Sequence, residues 1–253
     1  MADGGSIDER LAPHDFVTDF VWAVRTVFDQ PSVAFVSIAL WVLPSLVPRT
    51  NHGVRFFLEF VGWVGLALFC LGWCGAERVF FLRRREGKGI TVSDLLWSAI
   101  GFTGRFARLG VLVGIVLIPA FMIYGYWAGL HAATTHTSRA AAMRIGMMII
   151  MVPVDLVLTF VPSALVFTTR SARQALRVGV GMIRQTWPRS GLYVLCPPLA
   201  LNMLNAIYPT DIRTVRVVTS AGLALLALLA KGATAAFYLR ERPASAEIAG
   251  DTL

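Results

Sequence analysis

Charge is scarce in this chain: 15% of its 253 residues are Asp, Glu, Lys or Arg, while 56% are hydrophobic. With a mean hydropathy of +0.66, there is too little polar surface to cover a water-soluble globule. Histidine is limited to four residues and cysteine to three. His14, His52, His131 and His136 all fall outside the long apolar stretches, which denies an intramembrane metalloprotease its ligands. Cys70 and Cys74 are four apart on one helical face, a spacing that disfavours a mutual disulfide, and no second Cys pair or nearby His completes a zinc site. Cys196 also lies in an apolar stretch, and all three read as small packing residues. Also missing are G-x-S-x-G, G-x-x-x-x-G-K-[ST] and H-E-x-x-H, so no hydrolase, phosphate-loop or zinc-protease signature is present. Neither a metal nor a cofactor is expected, and no catalytic residue is identified. The polar–apolar alternation of a membrane barrel is absent too, which leaves helices as the spanning form because lipid offers no partner to exposed backbone groups.

What the chain does have is long apolar runs. A bilayer core is about 30 Å thick and needs roughly 20 apolar residues to cross it as a helix. Six stretches meet or approach that length: Ser32–Val47, Phe56–Leu82, Leu109–Leu130, Arg144–Thr169, Gly191–Pro209 and Val215–Leu239. The first and fifth are short enough to be tilted or partly re-entrant. The stretch before Phe16 is acidic and without an apolar run, so no cleavable signal peptide is expected and the first span serves as the insertion signal.

These stretches fall into a repeat. An amphipathic or basic segment followed by a helical hairpin begins near Asp15, Ser93 and Ser171, each 78 residues after the last. The expected fold is all-α, a polytopic membrane bundle of about six transmembrane helices in three such units, about 15–85, 93–170 and 171–242. Residues 1–14 and 243–253 are expected to be disordered tails flanking this single domain. In the first segment Asp15, Thr18, Asp19, Thr26 and Asp29 share one helical face, with Phe16, Phe20, Val24, Val27 and Phe28 on the other. That pattern predicts a helix lying in the headgroup region, broken from the first span by Pro31. In the second, Ser98, Gly101, Arg105 and Arg108 are polar and Leu96, Ile100 and Phe106 face the membrane.

The basic residues set an orientation. With the N-terminus inside, 15 of the 23 Lys and Arg residues fall on the cytoplasmic side, which predicts a multi-pass protein of the inner (plasma) membrane with both termini cytoplasmic. Arg83, Arg84 and Arg85, and the stripe of Arg170, Arg173, Arg177 and Arg184, are expected to contact lipid headgroups. That rim accounts for the pI near 10.1 without nucleic acid, for which no fold or soluble basic domain is present. The expected partners are membrane lipids, with other membrane subunits or a second copy as alternatives, because Gly62, Gly65, Gly72, Gly75, Gly222 and Gly232 would let helices approach closely.

An aromatic-rich entry helix with Trp22 and Pro31, the basic loop RRREGKGITVSDLL at Arg83–Leu96, SARQALRVGVGMIRQTW at Ser171–Trp187 and the terminal FYLRERP together resemble the six-helix bacterial proteins related to YciC. They are similar also to the membrane domain of some glycerophosphodiester phosphodiesterases. The resemblance spans roughly Asp15 to Pro243. It implies the six-helix architecture and no catalytic residues; the soluble phosphodiesterase domain has no counterpart here.

Ionisable groups at membrane depth cost about 2.5–3.5 kcal/mol even on the lenient insertion scale, so each needs a reason. Asp155 lies mid-span between Pro153 and Pro162, and Lys231 lies in the last span within reach of it if the two helices touch. They form either a buried ion pair or a proton- or cation-coupled site, unless Lys231 snorkels to the interface. Asn202 and Asn205, three apart after the Pro197–Pro198 break, would line the same cavity or bond neighbouring helices. Glu59 and Glu77 are read as interfacial anchors. Three functions remain open: transport, export or self-protection through this polar site; a non-catalytic scaffold or subunit; and an enzyme acting on a lipid or prenyl substrate, for which the usual clustered carboxylates are missing.

Overall fold

A computed structural model describes residues 16–46, 53–135, 139–207 and 213–241. The expected tails and the loops holding Arg49 and His136 lie outside them. Among the described residues every regular element is an α-helix: α1 (Phe16–Asp29), α2 (Pro31–Leu46), α3 (Gly53–Arg85), α4 (Val92–Thr135), α5 (Arg139–Leu158), α6 (Val161–Phe167), α7 (Ala172–Thr186), α8 (Gly191–Ile207) and α9 (Arg213–Glu241). Four segments are long and apolar enough to cross a membrane, namely Phe60–Arg85, Val92–Leu130, Gly146–Phe167 and Val217–Glu241. A fifth candidate is the pair α1 and α2, bent by 95° at its junction. The remaining expected span, α8, is apolar over Gly191–Leu201 and shorter. At 1.5 Å per residue, the 16 residues of α2 reach only about 24 Å, short of a bilayer core.

Proline marks some of the helix breaks but not all its positions are breaks: Pro119, Pro153 and the Pro197–Pro198 pair, the last expected to interrupt its span, lie inside α4, α5 and α8. Pro31 opens α2, where its missing N–H costs nothing, and its ring prevents continuation of α1. Trp187, held extended before Pro188, ends α7 in the same way. No proline stands near Leu109, and there the expected junction is absent: the amphipathic stretch from Ser93 is simply the first part of α4, which runs unbroken for 44 residues. Phe106, expected to face the membrane, is buried beside Phe102 in the helix core.

The bundle is built around α9. Its apolar window is 61% buried, against 11% for that of α4, whose outward face exposes Val111, Ile115, Ile118 and Met122 as a lipid-facing surface would. Phe237 stacks on Phe160 at 5.3 Å and meets Tyr193 at 4.4 Å between ring centroids. Close helix approach uses some of the expected glycines. A Cβ on Gly72 would strike the Ala99 carbonyl, one on Gly75 the Phe102 ring, and one on Gly232 both Ala23 and Phe81. Gly62, Gly65 and Gly222 face open space and make no such contact.

Helix α1 does not sort by the two expected faces: Asp19 and Thr26 of the polar one are buried together with Val27 of the apolar one, whereas Thr18 and Asp29 are exposed alongside Phe28. A polar side chain can turn inward where the protein itself supplies partners, and for Asp19 it does.

Candidate functional site

Glu77, read from the sequence as an interfacial anchor, is instead 1% exposed at the centre of a polar cluster. Its position on α3 explains this. Trp73 and Glu77 are one turn apart on the face turned towards α2, and Ser37 of α2 sits between them. The Trp73 indole N–H donates to Ser37 Oγ at 2.9 Å, and Ser37 donates in turn to Glu77 Oε1 at 2.8 Å. The other carboxylate oxygen accepts from Lys231 Nζ of α9 at 2.5 Å. Lys231 also approaches Cys74 Sγ at 3.7 Å. The ion pair of Lys231 is thus made with Glu77, where the sequence offered Asp155.

Arg78 follows Glu77 and therefore points about 100° away from it around the helix. It bonds the Cys74 carbonyl at 2.7 Å through Nη1 and Ser163 Oγ of α6 at 3.3 Å through Nε. Two adjacent charges are thereby committed to different neighbours, Glu77 to α2 and α9 and Arg78 to α6.

Asp155 and Lys231 do share a site, a cavity of about 410 Å³ whose wall also includes Arg78, Thr159 and the Pro197–Pro198 step of α8. A broken helix shapes it. Thr159 Oγ1 bonds back to the carbonyls of Asp155 at 3.0 Å and Leu156 at 3.1 Å, and α6 restarts at Val161 with Pro162 in its first turn. Pro162 has no N–H to donate to Leu158, which leaves the ladder open between α5 and α6, and Asp155 stands about one turn from the end of α5. Two cationic groups and one carboxylate thus line the cavity, with Glu77 behind Lys231. The side chains of Glu59, Asn202 and Asn205 lie outside the described residues.

Asp19 anchors a second cluster that the sequence did not signal beyond its helical face. Arg240 Nη1 reaches both carboxylate oxygens at 3.1 Å, and the Tyr193 hydroxyl donates to Oδ2 at 2.5 Å. This ties α1, α8 and α9 together. Among the expected headgroup residues, Arg85, Arg170, Arg173, Arg177 and Arg184 are exposed, whereas Arg83 and Arg84 are only partly so. Arg85 donates to the Ala236 carbonyl at 2.7 Å, so part of that basic stop secures α3 to α9.

The pairings missed by sequence reasoning had a partial signal. Glu77 and Arg78 are adjacent charges inside an apolar run, with Trp73 a turn away. Nothing in the sequence pointed to Ser37 or Ser163, which are 40 and 85 residues distant from their partners.

Among the described residues no group of three or more His, Cys, Asp or Glu side chains is placed to hold a metal. No protein-family model matches the chain, and neither a curated protein nor a solved structure matches it. What fold and site define is a class: an all-helical chain with several helices apolar enough to cross a membrane. Inside it, charged side chains are paired between helices and others line a cavity.

Proposed function

We propose that this is a small multi-pass inner-membrane protein acting in transport, export or self-protection. Its polar path runs through the cavity of Asp155, Arg78 and Lys231, and both termini are cytoplasmic. The carrying observation is that cavity, about 410 Å³ in volume and bounded by a carboxylate, two cations and a broken helix. An intramembrane carboxylate beside an interrupted helix is a recurrent arrangement for moving protons or ions. The finer architecture belongs to the same reading: six membrane stretches in three units of amphipathic segment and hairpin, as the resemblance to the YciC-related proteins implies. The second unit keeps its segment fused to its span in α4.

A scaffold reading has one observation in its favour. Glu77, Ser37, Trp73 and Lys231 bond one another, as a purely structural network would. The two readings part at the cavity. In a cysteine-free background, Leu201→Cys, on the cavity wall and half-buried, should react in intact membranes with a charged, membrane-impermeant thiol reagent, while Ile115→Cys on the outward face of α4 should not. Equal inertness of both would sink the transport reading and leave the scaffold. In proteoliposomes carrying a pH-sensitive dye, the wild type should pass protons under an imposed potential, and Asp155→Asn should reduce that flux at least tenfold. An alkaline-phosphatase fusion at the C-terminus should be inactive; an active one would reverse the orientation.

A further inference from the structure

A second cavity, of about 600 Å³, lies at the basic end of α3 and is independent of the one assigned to transport. Three arginines line it from three different parts of the chain: Arg83 from the last turn of α3, Arg105 from α4 and Arg170 from the connection between α6 and α7. Among the described residues a single acidic one, Asp94, lines it with them. That carboxylate is already occupied as a helix cap, accepting from the Thr91 N–H at 3.1 Å and the Thr91 hydroxyl at 2.7 Å. The cavity therefore gathers three guanidinium groups around a single carboxylate, an arrangement that suits an anion.

Arg105 is held in place for that purpose by packing over the Phe102 ring, 5.1 Å from its centroid. Guanidinium groups suit phosphoryl oxygens because they offer parallel N–H donors. The volume is within the range of about 300–1,000 Å³ usual for small-ligand sites. The flank is apolar. Trp97 on the cavity wall is 72% exposed, and Ile100 beside it on α4 is 56% exposed, so a hydrocarbon tail could lie outside while its head is held within.

We propose that Arg83, Arg105 and Arg170 form a discrete binding site for a phosphoryl anion, with the headgroup of an anionic phospholipid or a soluble phosphate ester as its two sources. This differs from a diffuse basic rim, because Arg173 and Arg184 share the expected stripe with Arg170 and do not line the cavity.

The full chain, reconstituted in nanodiscs, tests it. One arm compares phosphatidylcholine alone with mixtures containing phosphatidylglycerol, counting retained lipid by native mass spectrometry. The other adds glycerol 3-phosphate to phosphatidylcholine nanodiscs. Saturable binding in either arm is expected, and the arm that shows it names the source. Arg105→Gln and Arg170→Gln should each weaken it about tenfold, as loss of a charge-assisted hydrogen bond does. Arg105→Lys should lose less, and Arg184→Gln should change nothing. A protein that binds in neither arm overturns the proposal. So does equal loss from Arg184→Gln, which would mean unspecific attraction to the basic surface. Gel filtration of each variant separates loss of binding from loss of fold, and Arg105→Lys keeps the test open if Arg105→Gln fails to fold.

Discussion

Replacing Lys231 by Met is the most informative single change, because it removes the charge that faces Glu77 while keeping most of the side-chain volume. Glu77 is 1% exposed and Lys231 retains 17% side-chain exposure. Removing one member of a buried ion pair costs about 3–5 kcal/mol, since the other charge stays in a medium that cannot solvate it. The partial exposure of Lys231 puts the expected loss near the lower end, about 3 kcal/mol. A neutral hydrogen bond between membrane helices is worth only about 0.6 kcal/mol on average, so the two accounts differ by far more than the error of a good measurement. Reversible unfolding in mixed micelles gives the number. The double change Lys231→Met with Glu77→Gln should return to within about 1 kcal/mol of the wild type, because Ser37 can still donate to the amide oxygen and no buried charge is abandoned. Lys231→Met with Asp155→Asn should not be rescued. The reasoning is refuted if Lys231→Met costs under about 1 kcal/mol, or if Asp155→Asn rescues it and Glu77→Gln does not.

Gly75→Leu should destabilise the bundle by about 1–3 kcal/mol or more, because its side chain would enter the Phe102 ring, whereas Gly65→Leu faces open space and should be near neutral in the same unfolding assay. Equal effects would mean that α3 and α4 do not pack as described. Tyr193→Phe removes the hydroxyl that donates to Asp19 and should cost about 1–3 kcal/mol. Hydrogen exchange should then show the loss as faster exchange in α1 and at the end of α9; unchanged exchange there would argue against the Asp19 cluster as a clasp.

Much of the helical layout was legible because it rests on local chemistry. Apolar runs of membrane length appear as helices, and Pro31 and Pro188 mark breaks that their missing N–H groups and rings impose. The same logic explains the failure at Leu109. An amphipathic pattern says which face of a helix is polar, but a change of pattern does not by itself end the hydrogen-bond ladder, so segment and span merge into α4. Reading a break from a change of pattern alone mistakes the solvent of a helix for its geometry. Asp19 shows the same limit from the other side. What its side chain meets is decided by Tyr193 and Arg240, which lie 174 and 221 residues away.

The candidate site was legible in its residue types and illegible in its pairings, for one physical reason. A charge inside an apolar run is costly enough that Asp155, Glu77, Arg78 and Lys231 can each be singled out from one sequence. Which opposite charge it meets depends on helix rotation and depth, to within about one turn. Lys231 could reach either carboxylate from α9, and the choice is made by where Gly232, next to it, lets α9 settle against Ala23 and Phe81. That contact draws α9 close to α3, where Glu77 stands ready with Ser37 and Trp73 already bonded in line. Lys231 is thereby committed to Glu77 of α3, while the cavity wall that it shares with Asp155 also carries Arg78.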